Sequence, residues 1–157
     1  MVIGIIGGGA SGMAAALAAA ENKNAQVVLL ERQARVGHKL QATGNGRCNL
    51  SNLHAAEGGY HGDDPAFSDY AIASFAPEAA LDWFRALGLF TVAEESGRVY
   101  PYSDQANSVV DVLRFALEQD NITLKYNFFS FFLYFFFVFF YLFHSCFKFF
   151  FSWCGFY

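Results

Sequence analysis

Apolar positions along the chain follow two periodicities and then lose both. Val2–Ile6 is an unbroken apolar run, as expected of a parallel strand buried on both faces. Ala10 to Glu21 reads as a helix in which Ala14, Ala15, Ala16, Ala18, Ala19 and Ala20 leave room for close packing on a sheet. Gln26–Glu31 reads as a second parallel strand, and a helical crossover between such strands is right-handed almost without exception. From Arg32 to about Gly62 the periodicity fades, in a segment too long for an ordinary connection and too varied for a low-complexity linker; it reads as a functional loop. Asp64-Pro65 predicts an N-cap and first helical position for a helix to about Phe75. Pro77 opens another helix, with Ala80, Leu81, Phe84 and Leu87 as its apolar stripe and Gly88 at its end. Phe90–Glu94 and Arg98–Tyr100 flank Glu95-Ser96-Gly97 as a small hairpin. Ser103 or Asp104 is placed to cap a helix carrying Val109, Val112, Leu113, Ala116 and Leu117 at i, i+3, i+4 spacing, and Ile122–Tyr126 starts another strand. The pattern is α/β and doubly wound over residues 1–126.

The turn between the first strand and the first helix carries the chemistry. Gly7-Gly8-Gly9-Ala10-Ser11-Gly12 is G-x-G-x-x-G between strand and helix, and Glu31 ends the next strand nineteen residues after Gly12. Gly7 permits the tight turn, Gly9 lets a pyrophosphate approach the backbone, and Gly12 lets helix and strand pack closely. A carboxylate at the spacing of Glu31 accepts hydrogen bonds from an adenosine ribose and repels a 2′-phosphate, so FAD or NAD fits better than NADP. The expected fold is a Rossmann-like FAD/NAD(P)-binding domain.

Composition divides the chain in two. Of its 20 Phe residues, 15 lie between Phe128 and Phe156, a stretch with one formal charge, Lys148. Residues 1–126 form the body and 127–157 an aberrant Phe-rich tail. The body carries a net charge of −5, because removing Lys148 leaves 9 basic against 14 acidic residues. It offers no basic surface of the kind that nucleic acid requires. Cys48, Cys146 and Cys154 are odd in number and irregularly spaced, which argues against a disulfide framework, and the four His show no metal-ligand spacing. With Met1 running straight into the first strand, the body reads as cytoplasmic and reduced, without a signal peptide. The tail is long and apolar enough to span a bilayer. It is, however, nearly a Phe homopolymer built from residues with T-rich codons. A frameshift or read-through product is therefore the favoured reading, with a membrane anchor and a buried core segment as alternatives.

Thr43-Gly44-Asn45-Gly46-Arg47-Cys48-Asn49 reads either as a solvated turn or as a second cofactor contact, with backbone N–H groups and one guanidinium offered to an anion. Gly37-His38-Lys39-Leu40 followed by Ala42–Asn52, together with Gly97-Arg98-Val99-Tyr100-Pro101-Tyr102-Ser103-Asp104-Gln105-Ala106, resembles the BaiN-like, aminoacetone-oxidase-type FAD-binding flavoproteins over residues 1 to about 126. His38 stands where that family more often has Arg. The resemblance implies a two-dinucleotide-type fold with FAD across the first βαβ unit. Gly7, Gly9, Ala10, Ser11 and Gly12 would hold the pyrophosphate and Glu31 the ribose. Arg32, Lys39, Thr43, Gly44, Gly46, Arg47, Cys48 and Asn49 would line the next stretch of cofactor. Cys48 has no C-x-x-C partner and reads as a packing or cofactor contact; Tyr100 and Tyr102 read as core rather than substrate contacts.

The sequence reading is thus the N-terminal fragment of an FAD-dependent oxidoreductase, inactive as it stands. Its intact relatives would move electrons between flavin and either NAD(P)H or an organic substrate. The rivals are a membrane-tethered nucleotide-binding module without catalysis and an NAD-binding Rossmann enzyme. The residues name no catalytic group and no oligomeric state.

Overall fold

The computed structural model describes residues 1–57 and 60–128. The readings placed on 129–157, including the membrane anchor, lie outside the described residues, and among the described residues no helix is long and apolar enough to cross a membrane.

Strands β1 (Val2–Ile6), β2 (Gln26–Leu30) and β6 (Ile122–Lys125) form a parallel sheet in the order β1-β2-β6. Val2 pairs with Gln26 and Ile6 with Leu30, while Val27 pairs with Ile122 and Leu30 with Lys125. Helix α1 (Ala10–Ala20) makes the expected crossover. The core is built from Met13, Ala16, Leu17 and Ala20 of α1, Val27 and Leu29 of β2, and Ala106, Val109 and Leu113 of α4 (Ala106–Ala116). Fully burying one of the Met, Val or Leu side chains stabilises the fold by about 1.5–3 kcal/mol. Asn121 lies within this core and ties it together, its Nδ2 donating to Ala20 O at 2.9 Å and Ala25 O at 3.3 Å. Strand β1 departs from the expectation of burial on both faces: Ile3 and Ile5 are half-buried, but Val2 and Ile6 are 73% and 69% exposed.

A second, antiparallel sheet runs β3-β5-β4, from β3 (Ser51–Asn52), β4 (Thr91–Ala93) and β5 (Arg98–Pro101). Strands β4 and β5 are the expected hairpin. Strand β3 is two polar residues long, too short to show any alternation in sequence. Between β3 and β4 in the chain, α2 (Asp69–Ser74) and α3 (Pro77–Ala86) follow in order. Helix α3 starts at Pro77, and Gly88 follows its end, as the sequence suggests. The helix expected from Asp64 to Phe75 is instead a 3₁₀ turn at Pro65–Ser68 followed by the short α2, and the Asp64 side chain makes no capping bond. Phe67 and Tyr70 are 87% and 84% exposed, so the segment buries no stripe that would hold a longer helix together. Helix α4 begins at Ala106 with Gln105 as its N-cap, so neither Ser103 nor Asp104 caps it. The Ser103 hydroxyl donates to Ser108 Oγ at 2.7 Å, and Asp104 is turned to Arg47.

Candidate cofactor site

The glycine turn joins β1 to α1 with little slack. Gly7 adopts φ +98° while its N–H donates to Leu30 O at 2.8 Å, extending the ladder to β2 by one bond. Gly9 is the N-cap of α1, and the Met13 N–H returns to its carbonyl at 2.9 Å. That leaves the N–H groups of Ala10, Ser11 and Gly12 as the open donors of the first turn. Among the described residues no side chain caps them, and no acidic residue lies in that turn. Gly9, Ala10 and Ser11 are exposed, and a Cβ on Gly9 would meet no heavy atom of the described residues within 4 Å. Aligned peptide dipoles add partial positive charge at the same place, so an anion has both donors and field there. Gly12 is different. A Cβ on it would lie 1.8 Å from Gly7 O, so the helix packs on the turn at a distance that only glycine allows.

Sequence reasoning missed Gly8, which stands at a variable position of the motif. Gly8 is buried, its N–H donates to Glu31 Oε2 at 2.6 Å, and its carbonyl accepts from the Gly37 N–H at 2.7 Å. A Cβ there would approach Val36 Cγ1 to 2.6 Å and Glu31 Oε2 to 3.0 Å. The run of three successive glycines was the one available signal. Glu31 Oε1 also accepts the Gln33 N–H at 2.7 Å, so two backbone donors hold the carboxylate against the turn.

The Gly37–Asn49 loop packs on α4 and on the second sheet. It contains 3₁₀ turns over Leu40–Gly46, interrupted where Thr43 is extended and Gly44 and Asn45 are left-handed. Thr43 Oγ1 donates to Leu40 O at 2.7 Å, and the Cys48 N–H closes back on Thr43 O at 3.0 Å. Gln41 Nε2 donates to Asn107 Oδ1 at 2.7 Å, joining the loop to α4. Lys39, Thr43, Gly44, Gly46 and Asn49 are exposed along it, as is Arg32 ahead of it. Cys48 is 2% exposed and belongs to the hydrophobic core, in keeping with a packing role. Arg47 Nε donates to Asp104 Oδ1, its Nη2 lies 2.9 Å from Glu94 Oε1, and its guanidinium carbon stands 3.8 Å over the Tyr100 ring. The two carboxylates raise its pKa further above the usual guanidinium value, Asp104 first and Glu94 second. Tyr100 is buried as expected, whereas Tyr102 is 77% exposed. The structure thus gathers Gly7–Gly12 and Glu31 at one turn, and sets the Lys39–Asn49 segment on a separate loop braced to that turn through Gly37 and Gly8.

Comparison with known proteins agrees with this geometry. Residues 1–129 match the family described as HI0933-like protein Rossmann domain. The chain is similar to the 3-dehydro-bile acid delta(4,6)-reductase of Clostridium scindens, at 46% identity over 123 residues, covering 78% of this chain and 30% of the relative. It is also similar to the ribosomal RNA dihydrouridine synthase of Escherichia coli, at 31% identity over 121 residues, covering 77% of this chain and 30% of the relative. Among solved structures, THI4 of Thermovibrio ammonificans superposes with a TM-score of 0.53 at 14% identity, over 79% of this chain and 37% of that one, a likeness of fold. The chain spans about 30% of the length of these curated relatives. Motif, sheet order and sequence similarity converge: the chain belongs to the HI0933-like, BaiN-like family of FAD-binding oxidoreductases, whose Rossmann domain it carries over residues 1–129.

Proposed function

We propose that this chain holds the ADP half of FAD, with the pyrophosphate on the N–H groups of Ala10, Ser11 and Gly12 and the adenosine ribose on Glu31. The observation that carries the reading is the first turn of α1. It is uncapped and free of acids, it is open at Gly9, and the Glu31 carboxylate is held at its rim by Gly8 N–H. Each carboxylate oxygen keeps lone-pair capacity beyond its one backbone donor, so the ribose hydroxyls still find an acceptor. The residues present therefore fit the cofactor. Arg32, Lys39, Thr43, Gly44, Gly46 and Asn49 form the exposed lining beyond the pyrophosphate.

Bound FAD would supply two-electron redox chemistry, and the protein's part is to bind and orient it. In the intact protein we assign that chemistry to electron transfer between flavin and NAD(P)H or an organic substrate. The 46% identity to a bile acid reductase favours the organic substrate. The chain spans about 30% of its relatives' length, so turnover is assigned to the intact protein. Titration of this chain with FAD, ADP and NAD, followed by calorimetry, tests the reading. FAD and ADP are expected to bind at one saturable site, each more tightly than NAD. Preference for NAD, or no binding of any of the three, would overturn it.

A further inference from the structure

Arg47 sits in the most cofactor-like stretch of the loop, yet its surroundings are wrong for an anion ligand. Its guanidinium faces Asp104 and Glu94, so the cluster carries one positive and two negative charges. A group with a net charge of −1 repels a pyrophosphate rather than attracting it. One face of the guanidinium is also covered by the Tyr100 ring at 3.8 Å. Its partners lie 47 and 57 residues away in sequence, just after β4 and on the turn between β5 and α4. The backbone around the cluster needs such support. Asn45, Cys48 and Asp104 are non-glycine residues in the left-handed region, with φ of 56°, 62° and 57°. Such residues persist only where their surroundings hold them.

We propose that Arg47 is a positioning residue: a latch that fastens the Thr43–Asn49 loop to the β3-β5-β4 sheet and so sets the loop in place for the cofactor. This rests on the FAD reading above. The two roles open to Arg47 differ in sign. If Arg47 were an anion ligand held back by its carboxylates, removing Asp104 would free it and tighten FAD. If it is a latch, removing either partner loosens the loop and weakens FAD.

The test compares the 157-residue wild-type chain with Arg47→Ala, Arg47→Lys, Asp104→Gly and the Arg47→Ala/Asp104→Gly double variant. Glycine at 104 keeps the left-handed backbone available. FAD affinity is read by fluorescence, and amide hydrogen exchange over residues 40–49 is read without ligand. Members of one ion-pair network are non-additive. Each alanine or glycine variant is therefore expected to weaken FAD about tenfold, the double variant no further, with partial recovery in Arg47→Lys. Exchange over 40–49 should rise in all three. Tighter FAD binding by Asp104→Gly, or full additivity in the double variant, overturns the latch. If wild-type protein binds no FAD, the cofactor reading fails by itself. The latch then stands if exchange over 40–49 rises in both single variants and falls if it does not.

Discussion

Gly12→Ala separates the packing role of the turn from the binding role proposed for it. A methyl group at this position would lie 1.8 Å from Gly7 O, whereas real Cβ contacts essentially never fall below 3.0 Å, so the two atoms must part by about 1.2 Å. Gly7 resists, because its N–H is bonded to Leu30 O at 2.8 Å. The other route is to tilt the first turn of α1, which disturbs Met13 and Ala16, both 0% exposed. Overpacking of this kind costs about 1–3 kcal/mol and occasionally more, since a close-packed interior yields little. Replacing glycine by alanine inside a helix returns about 0.5–1 kcal/mol through lost chain entropy. With backbone rather than a flexible side chain on the far side of the clash, the upper end of the range applies and the net loss is about 2 kcal/mol. For a domain of this size that lowers Tm by about 5–10 °C. Gly9→Ala is the matched control, because its Cβ meets none of the described residues within 4 Å and its φ of −78° suits any residue. Alanine is a poorer N-cap than glycine, a loss of under about 1 kcal/mol. Its methyl group nevertheless stands where the pyrophosphate would approach. Thermal unfolding by circular dichroism and FAD titration of both variants should therefore split: Gly12→Ala loses Tm, while Gly9→Ala keeps most of its Tm and loses FAD. A Gly12→Ala protein as stable as wild type, or a Gly9→Ala protein that binds FAD normally, would refute the reasoning.

Two further outcomes follow from hydrogen bonds already described. Glu31→Gln keeps the shape but loses the charge that accepts Gly8 and Gln33 N–H, and hydrogen bonds to charged groups contribute about 1.5–3 kcal/mol each. An amide oxygen preserves part of this, so a loss of about 1–2 kcal/mol in urea unfolding is expected together with weaker ADP binding; unchanged ADP affinity would remove Glu31 from the ribose site. Asn121→Ala strips the donor shared by Ala20 O and Ala25 O in the core and should cost about 1–3 kcal/mol in the same assay, with cofactor affinity little altered.

Much of the βαβ unit was legible without coordinates, because its signals are local. A glycine that must turn, a helix that must start uncapped and a strand that must end on an acid are all properties of a few neighbouring residues. Strands β1 and β2, helix α1, the hairpin and helices α3 and α4 were read in this way, within a residue or two at their ends. The local signals also misled. Asp64-Pro65 has the chemistry of a helix start, but with Phe67 and Tyr70 facing solvent nothing rewards a long helix there. Asp104 has the chemistry of a cap, but its carboxylate is drawn to a guanidinium from elsewhere in the chain.

By itself, the sequence determined the glycine turn between strand and helix, its acid nineteen residues on, and the glycine-rich Thr43–Asn49 block, because these depend on backbone freedom and on spacing along the chain. Tertiary structure alone decided that Gly8 must be glycine, since the neighbour that forbids a side chain there, Val36, arrives from a later loop. It also decided that β3 completes a second sheet, that Cys48 is core, and that Arg47 faces two carboxylates and an aromatic ring. Each of these rests on contacts between residues tens of positions apart, and such contacts exist only once the chain has folded.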